Sequence, residues 1–277
     1  MMILPNHRLL AANLLAFSLL LLGCRSHRAA PASVDAGATT TAVPTAAAAP
    51  STPIAEVPAS QPASHLHDPA NPPIDCPLRK QGIDPTHLRP FEDVEKYIAF
   101  LDRPDRAAWQ KPDQVVAALG LKGTETIYDL GAGSGYFSFR FAKALPQGQV
   151  IAADTEAEMV RHIHHQTMMR SVKNLRVKLI EPTDPAVPAD ADWVFLCDVL
   201  HHVPDARTWL AKLVSEMKSG AHLALIEFKQ GKLPEGPPEG AKIPKAQLLD
   251  LMTRAGLTSE SEKTLLPYQE YLVFKKP

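Results

Sequence analysis

Within the run TIYDLGAGSGYFS, Thr126 to Ser138, one carboxylate and three alternate glycines stand together: Asp129, then Gly131, Gly133 and Gly135, with Ala132 inside the glycine series. Glycine at alternate positions removes Cβ atoms and lets backbone approach a ligand, at a cost in chain order. Two familiar loop chemistries are disfavoured. A dinucleotide-binding turn, G-x-G-x-x-G, would need its third glycine where this chain has Tyr136. No Lys-Ser or Lys-Thr pair follows the glycines, so the phosphate-cradling P-loop is absent. A second carboxylate, Asp154, ends the apolar run QVIAAD, 19 residues after Gly135. An ionised carboxylate has two oxygens to receive the two donors of a vicinal diol, the chemistry a ribose presents. The competing reading of Asp154 is a cap on the helix beginning near Thr155 or Glu156.

These residues need a strand, a tight turn and a helix to hold them. The apolar lead-in to Leu130 reads as a buried parallel strand, and FSFRFAKAL has helical periodicity, so the glycines occupy the turn between them. Further strands are expected at about 149–153, 175–180, 193–197 and 223–228, with helices near 136–144, 156–170, 206–217 and 244–255. Alternation of this kind implies an α/β fold with a parallel sheet covered on both faces. LTSESEKTLLPYQEYLVFKK, at the end, reads as two more strands joined by a turn near Pro267. Ahead of the sheet lies a helical prelude, Phe91 to Leu121, with Pro104 and Pro112 at helix starts.

The D-x-G-x-G-x-G spacing followed by Asp154 resembles motif I and the ribose-binding acid of class I S-adenosylmethionine-dependent methyltransferases, of the type 11/25-like kind. The similarity covers roughly Pro90 to Phe274 and is strongest from Lys111 to Asp205. It implies a Rossmann-like seven-stranded sheet, mostly parallel with a closing antiparallel strand and helices on both faces, and S-adenosyl-L-methionine as cofactor. It assigns Asp129, Gly131, Ala132, Gly133, Gly135, Asp154 and Thr155 to cofactor binding. Asp184, in EPTDPAVP, falls where the family often meets the adenine amino group; turn initiation before Pro185 is its other reading. Asp198, His201 and His202, in CDVLHHVPD, fall beside the methionine end of the cofactor. Methyl transfer is an in-line displacement, so the protein chiefly aligns the reactants and excludes water. A base is needed only where the acceptor must lose a proton, and His201 or His202 is the candidate, against helix packing or capping. Asp198 is read as a cofactor-pocket residue rather than a base.

Other histidines carry less. His162 and His165, in RHIHHQ with His164, share a helical face, but no carboxylate or cysteine at ligand spacing joins them, and no metal is expected. His65 and His67 belong to a low-complexity stretch. Trp109 and Tyr97 are candidates for a lid over the cofactor or for core. GKLPEGPPEGAKIP, Gly231 to Pro244, is the expected acceptor entrance.

The chain has 277 residues, and its first quarter does not read as packed structure. Leu9 to Leu22 form a short apolar segment ending in Leu-Leu-Gly-Cys at Cys24, which resembles a bacterial lipoprotein signal. The expected organisation is a signal peptide over 1–24 with lipidation at Cys24, a disordered Ala/Pro/Thr-rich tether over 25–73, a helical cap over 74–121 and the catalytic domain over 122–277. That stretch holds much of the chain's 26 prolines. Of the three cysteines, Cys197 lies in an apolar run and Cys76 in a loop, and pairing between them is left open. A net charge of −1 and the absence of a basic run with interleaved aromatics give no basis for nucleic-acid binding. The partners expected are a small-molecule or lipid-like methyl acceptor and a membrane held through Cys24, with the domain facing the periplasm in the cell envelope. Cofactor is not normally expected there. A non-catalytic module binding an adenosyl-type ligand or an envelope partner, or a cytoplasmic-face enzyme with an inefficient leader, are therefore the alternatives. The sequence sets no oligomeric state.

Overall fold

The runs at 126–130, 149–154 and 193–197 are buried almost without interruption, the pattern of strands covered on both faces. In the computed structural model, which describes residues 91–277, they form β1 (Thr126–Leu130), β2 (Gln149–Asp154) and β4 (Trp193–Cys197), joined by β3 (Leu175–Leu179), β5 (His222–Phe228), β6 (Thr258–Glu262) and β7 (Gln269–Lys275). All seven lie in one sheet, in the order β3-β2-β1-β4-β5-β7-β6. β1 to β5 run parallel, and β7 is antiparallel to both β5 and β6. The closing antiparallel strand is thus inserted beside β5 rather than added at the edge. From β1 the chain first moves outward to β2 and β3 and then crosses to β4 and β5, so the order reverses between β1 and β4. A switch of this kind opens a crevice beyond the C-terminal ends of the strands.

Helices cover both faces. α6 (Ala206–Glu216) and α7 (Lys245–Arg254) bring Trp209, Leu213, Leu248 and Met252 against Leu130, Leu196 and Leu225. On the other face α3 (Pro112–Ala118) and α4 (Ser138–Ala144) bring Val115 and Phe141 against Ile127, Phe195 and Tyr271. Phe195 stands 4.9 Å, ring to ring, from both Phe137 and Phe141. Truncating one such ring to alanine costs about 3–5 kcal/mol. α5 (Ala157–Met169) covers β2 and β3, and α1 (Phe91–Leu101) seats Val94 and Ile98 against Met159 of α5. The short α2 (Arg106–Gln110) follows Pro104, and Lys111, at φ 45°, turns the chain into α3, whose first residue is Pro112. α4 begins at Ser138 rather than Tyr136 because the glycine turn runs on to Phe137. No helix among the described residues is long and apolar enough to cross a membrane. Cys24, Cys76, His65, His67 and the tether lie outside the described residues.

Candidate active site

The glycine turn sits at the C-terminal end of β1 and is tied to β2: the N–H groups of Gly131 and Ala132 both donate to the Ala153 carbonyl, at 2.8 and 3.0 Å. Gly131 and Gly133 have φ of +78° and +55°, a left-handed backbone that favours glycine. A Cβ on Gly131 would lie 2.4 Å from Cγ2 of Val199, so the turn is packed directly on the segment that follows β4. Asp129, 3 % exposed, points off β1 and accepts a hydrogen bond from Ser138 Oγ at the start of α4. Burial raises its pKa to about 7; the Ser138 bond and the Arg106 charge oppose the rise and the Asp154 charge adds to it.

Asp154 ends β2 with its carboxylate aimed back at the turn. Oδ2 accepts from the Gly133 N–H at 2.8 Å and Oδ1 from the Glu156 N–H at 2.9 Å, while burial raises its pKa against those two bonds. The second bond closes a short turn onto Glu156, the residue just ahead of α5. Each oxygen still has acceptor capacity, because an ionised carboxylate offers about four lone-pair sites. A diol-bearing ligand, with the uncharged glycine-rich turn beside it, therefore fits these residues. Ala132 is buried in the turn and Thr155 is exposed beyond Asp154. Asp184 is not brought to this cluster. Its half-exposed carboxylate pairs with Lys212 of α6 at 2.9 Å and accepts the Ala186 N–H at 3.0 Å, closing a turn around Pro185.

At the end of β4 a second polar group collects. Asp198 has φ +60°, a strained value for a non-glycine residue, and its carboxylate accepts from Nε2 of Gln269, at the start of β7, at 2.8 Å to each oxygen. Gln110 of α2, fully buried, donates to the same carboxylate at 3.3 Å. Burial, reinforced by Glu227, lifts the Asp198 pKa to about 6 against Arg106, Gln269 and His201. The short 3-10 turn Leu200–His202 then presents two rings, 4.1 Å apart. His201 is 5 % exposed, and its Nδ1 meets Oε2 of Glu227 on β5 at 2.7 Å; Oε1 of Glu227 accepts the Leu200 N–H, also at 2.7 Å. Burial alone would lower the His201 pKa, but the bond to Glu227 and the charges of Glu227 and Asp198 hold it above the ordinary value. His202 is exposed and its pKa is depressed by partial burial and by its neighbour. Cys197 carries a free thiol at the end of β4.

The prelude lies over this crevice. Leu101 Cδ1 stands 3.3 Å from where a Cβ on Gly133 would be, Asp102 receives the Ser134 hydroxyl, and the Arg106 guanidinium lies 4.0 Å over the Tyr136 ring with Arg140 4.2 Å from the same ring. Trp109 packs on Phe228 and Tyr268 at 5.7 and 6.0 Å. Tyr97 is 54 % exposed and stacks on Phe100, and burial together with the Asp154 charge raises the pKa of its hydroxyl. The 231–244 loop is held inward by Glu235, which pairs with Arg103, and by Gly236 against Phe228. An open groove of about 530 Å³ lies at the opposite, N-terminal end of the parallel strands, lined by Lys122, Asp192, Trp193 and His222, away from the glycine turn. His162, His164 and His165 are half-buried on α5. Glu227, Gln110 and Gln269 escaped sequence reasoning; a carboxylate closing the apolar run of β5 was the one signal present.

Residues 128–223 match the family model described as a methyltransferase domain. That match covers 96 of the 277 residues. A trans-aconitate 2-methyltransferase of Azoarcus sp. strain BH72 is 29 % identical over 136 residues, 49 % of this chain and 50 % of the relative. A ubiquinone biosynthesis O-methyltransferase of Xanthomonas campestris pv. campestris is 29 % identical over 144 residues, 48 % of this chain and 59 % of the relative. The chain thus spans about half the length of the curated relatives it matches. A crystal structure of a SAM dependent methyltransferase from Aquifex aeolicus superposes with a TM-score of 0.60 at 24 % identity, covering 67 % of this chain and 98 % of the other. The fold is that of the S-adenosylmethionine-dependent methyltransferases.

Proposed function

We propose that this protein is an S-adenosylmethionine-dependent methyltransferase for a small-molecule or lipid-like acceptor, tethered to a membrane of the cell envelope through a lipidated Cys24. The observation that carries the enzymatic part is the joint placement of Asp129, the Gly131–Gly135 turn and Asp154 at the switch between β1 and β4. When bound, S-adenosylmethionine supplies an electrophilic methyl carbon on a sulfonium centre. The chain's own share is to bind, orient and keep water out. Gly133 offers a surface without a side chain, and Asp154 retains acceptors for the ribose diol. Asp198 and Asp129 put negative charge where a cationic ligand end gains from it, and α1 and α2 close the crevice from above. The 231–244 loop borders the acceptor entrance beyond β5. The tether part is supported by the Leu-Leu-Gly-Cys sequence at Leu21–Cys24 and the Ala/Pro/Thr-rich stretch after it.

Calorimetric titration of the full chain with S-adenosylmethionine and S-adenosylhomocysteine tests the first part. Micromolar binding, lost in Asp154→Ala and in Gly133→Val, is the expected result; a folded protein that binds neither ligand returns the domain to a non-catalytic role. Labelling with a palmitate analogue, with Cys24→Ser as control, tests the second, and labelling that survives the substitution removes the lipid anchor.

A further inference from the structure

We infer that His201 is the general base of this site, held in its working tautomer by Glu227 as a positioning residue, and that the acceptor is therefore a hydroxyl compound. The inference rests on the methyltransferase reading above and deepens it. Nδ1 of His201 faces a buried carboxylate oxygen at 2.7 Å, and both side chains are nearly inaccessible, at 5 % and 2 %. A carboxylate accepts only, so the neutral ring must carry its proton on Nδ1, which leaves the Nε2 lone pair as the ring's acceptor. Nε2 makes no hydrogen bond among the described residues and is not among the buried polar atoms left unsatisfied. The same carboxylate anchors the Leu200 N–H through its other oxygen, so Glu227 fixes the turn and the ring together. His202 has no such partner and is exposed.

The substrate class follows from what such a base is for. A carboxylate acceptor is already ionised near neutral pH, a thiol ionises readily, and a neutral amine attacks through its lone pair before any proton leaves, so none of these depends on a buried imidazole. A hydroxyl must shed its proton as it reacts. In the balanced step the acceptor O–H breaks with its proton going to Nε2 of His201, and the oxygen forms the new bond to the methyl carbon. The carbon–sulfur electron pair stays on sulfur. The imidazolium, stabilised by Glu227, then returns the proton to solvent. The groups facing the ring are Glu227 from β5, Asp198 from the end of β4 and His202 beside it.

Glu227→Gln is the informative variant. It keeps an oxygen for the Leu200 N–H but can turn an amide N–H toward Nδ1, which reverses the tautomer at almost constant volume. Nitrogen-15 NMR of the full chain, with the His201 signal identified by its loss in His201→Gln, should show the Nδ1–H tautomer and a titration midpoint above that of an ordinary histidine. In Glu227→Gln it should show Nε2–H and a lower midpoint. Release of S-adenosylhomocysteine is then followed with phenol, aliphatic alcohol, carboxylate and thiol acceptors. Turnover should be confined to hydroxyl compounds and fall by at least about 100-fold in kcat in both variants, with KM little changed and the acid limb of the wild-type profile displaced in Glu227→Gln. An Nε2–H tautomer in the wild type, a tautomer indifferent to Glu227→Gln, turnover of a carboxylate, or an unchanged kcat overturns the inference. Unaltered calorimetric binding of S-adenosylhomocysteine in these variants separates that failure from a failure of the methyltransferase reading itself.

Discussion

Replacing Asp129 by asparagine should stabilise the ligand-free protein at alkaline pH while removing its cofactor site. The carboxyl is fully enclosed at the end of β1, and its pKa is raised from 3.8 to about 7, first by burial. Between those values the folded chain holds a proton that the unfolded chain has lost. Linkage then makes stability fall by about 1.4 kcal/mol for each pH unit across that window. The stabilising protonated state is complete below the unfolded pKa and is lost as pH rises through the folded one. From about pH 5 to about pH 8 the wild type should therefore lose about 3 kcal/mol through this group alone. Asparagine keeps an oxygen to accept the Ser138 hydroxyl and does not titrate, so the variant escapes that loss. Urea denaturation of both proteins at several pH values between these limits reads the difference directly, and contributions from other groups largely cancel in the comparison. The stability gap should be small at the acid end and widen by about 3 kcal/mol toward the alkaline end. A gap that is the same at both ends would refute the reasoning, since it would mean that Asp129 is already ionised in the folded protein at low pH.

Cofactor binding near pH 6 should release protons, because a cationic ligand favours the ionised forms of Asp129 and Asp198, whose pKa values are raised to about 7 and about 6. Calorimetry in two buffers of different ionisation enthalpy measures this, and heats independent of buffer would exclude it. Gly131→Ala places a methyl group 2.4 Å from Val199 Cγ2 at a φ of +78°. It should cost about 1–3 kcal/mol in thermal or urea stability; an unchanged midpoint would contradict the packing described. Asp184→Ala removes a half-exposed partner of Lys212 and should alter cofactor affinity by no more than about twofold, as expected for a surface pair. A tenfold loss by calorimetry would restore Asp184 to the adenine site.

Local chemistry and long-range assembly were unequally visible in the sequence, and the site shows why. Motif I could be read because its requirements lie within one turn: Asp129, the three glycines and the helix after them need no distant partner to be recognised. The strands were legible for a similar reason, since a sheet covered on both faces writes each central strand as an uninterrupted apolar run such as Ile127–Leu130 or Val194–Leu196. Glu227 was not legible. Its side chain meets His201 only because the chain crosses from β4 to an adjacent, parallel β5, and that adjacency is a property of sheet order rather than of either segment. Gln110 and Gln269, 159 residues apart, converge on Asp198 from α2 and from the inserted antiparallel β7. Neither amide carries a local pattern that distinguishes it from a solvated glutamine. Asp184 shows the converse limit. Its spacing suited a ligand, yet the nearest demands on its carboxylate, an amide two residues on and a lysine on α6, are met within the turn and the neighbouring helix. A carboxylate at a strand end is thus drawn first to whichever donors the local backbone leaves unpaired. Only where burial withholds water, as at Asp129 and Asp198, does the unspent charge remain for a ligand to complete.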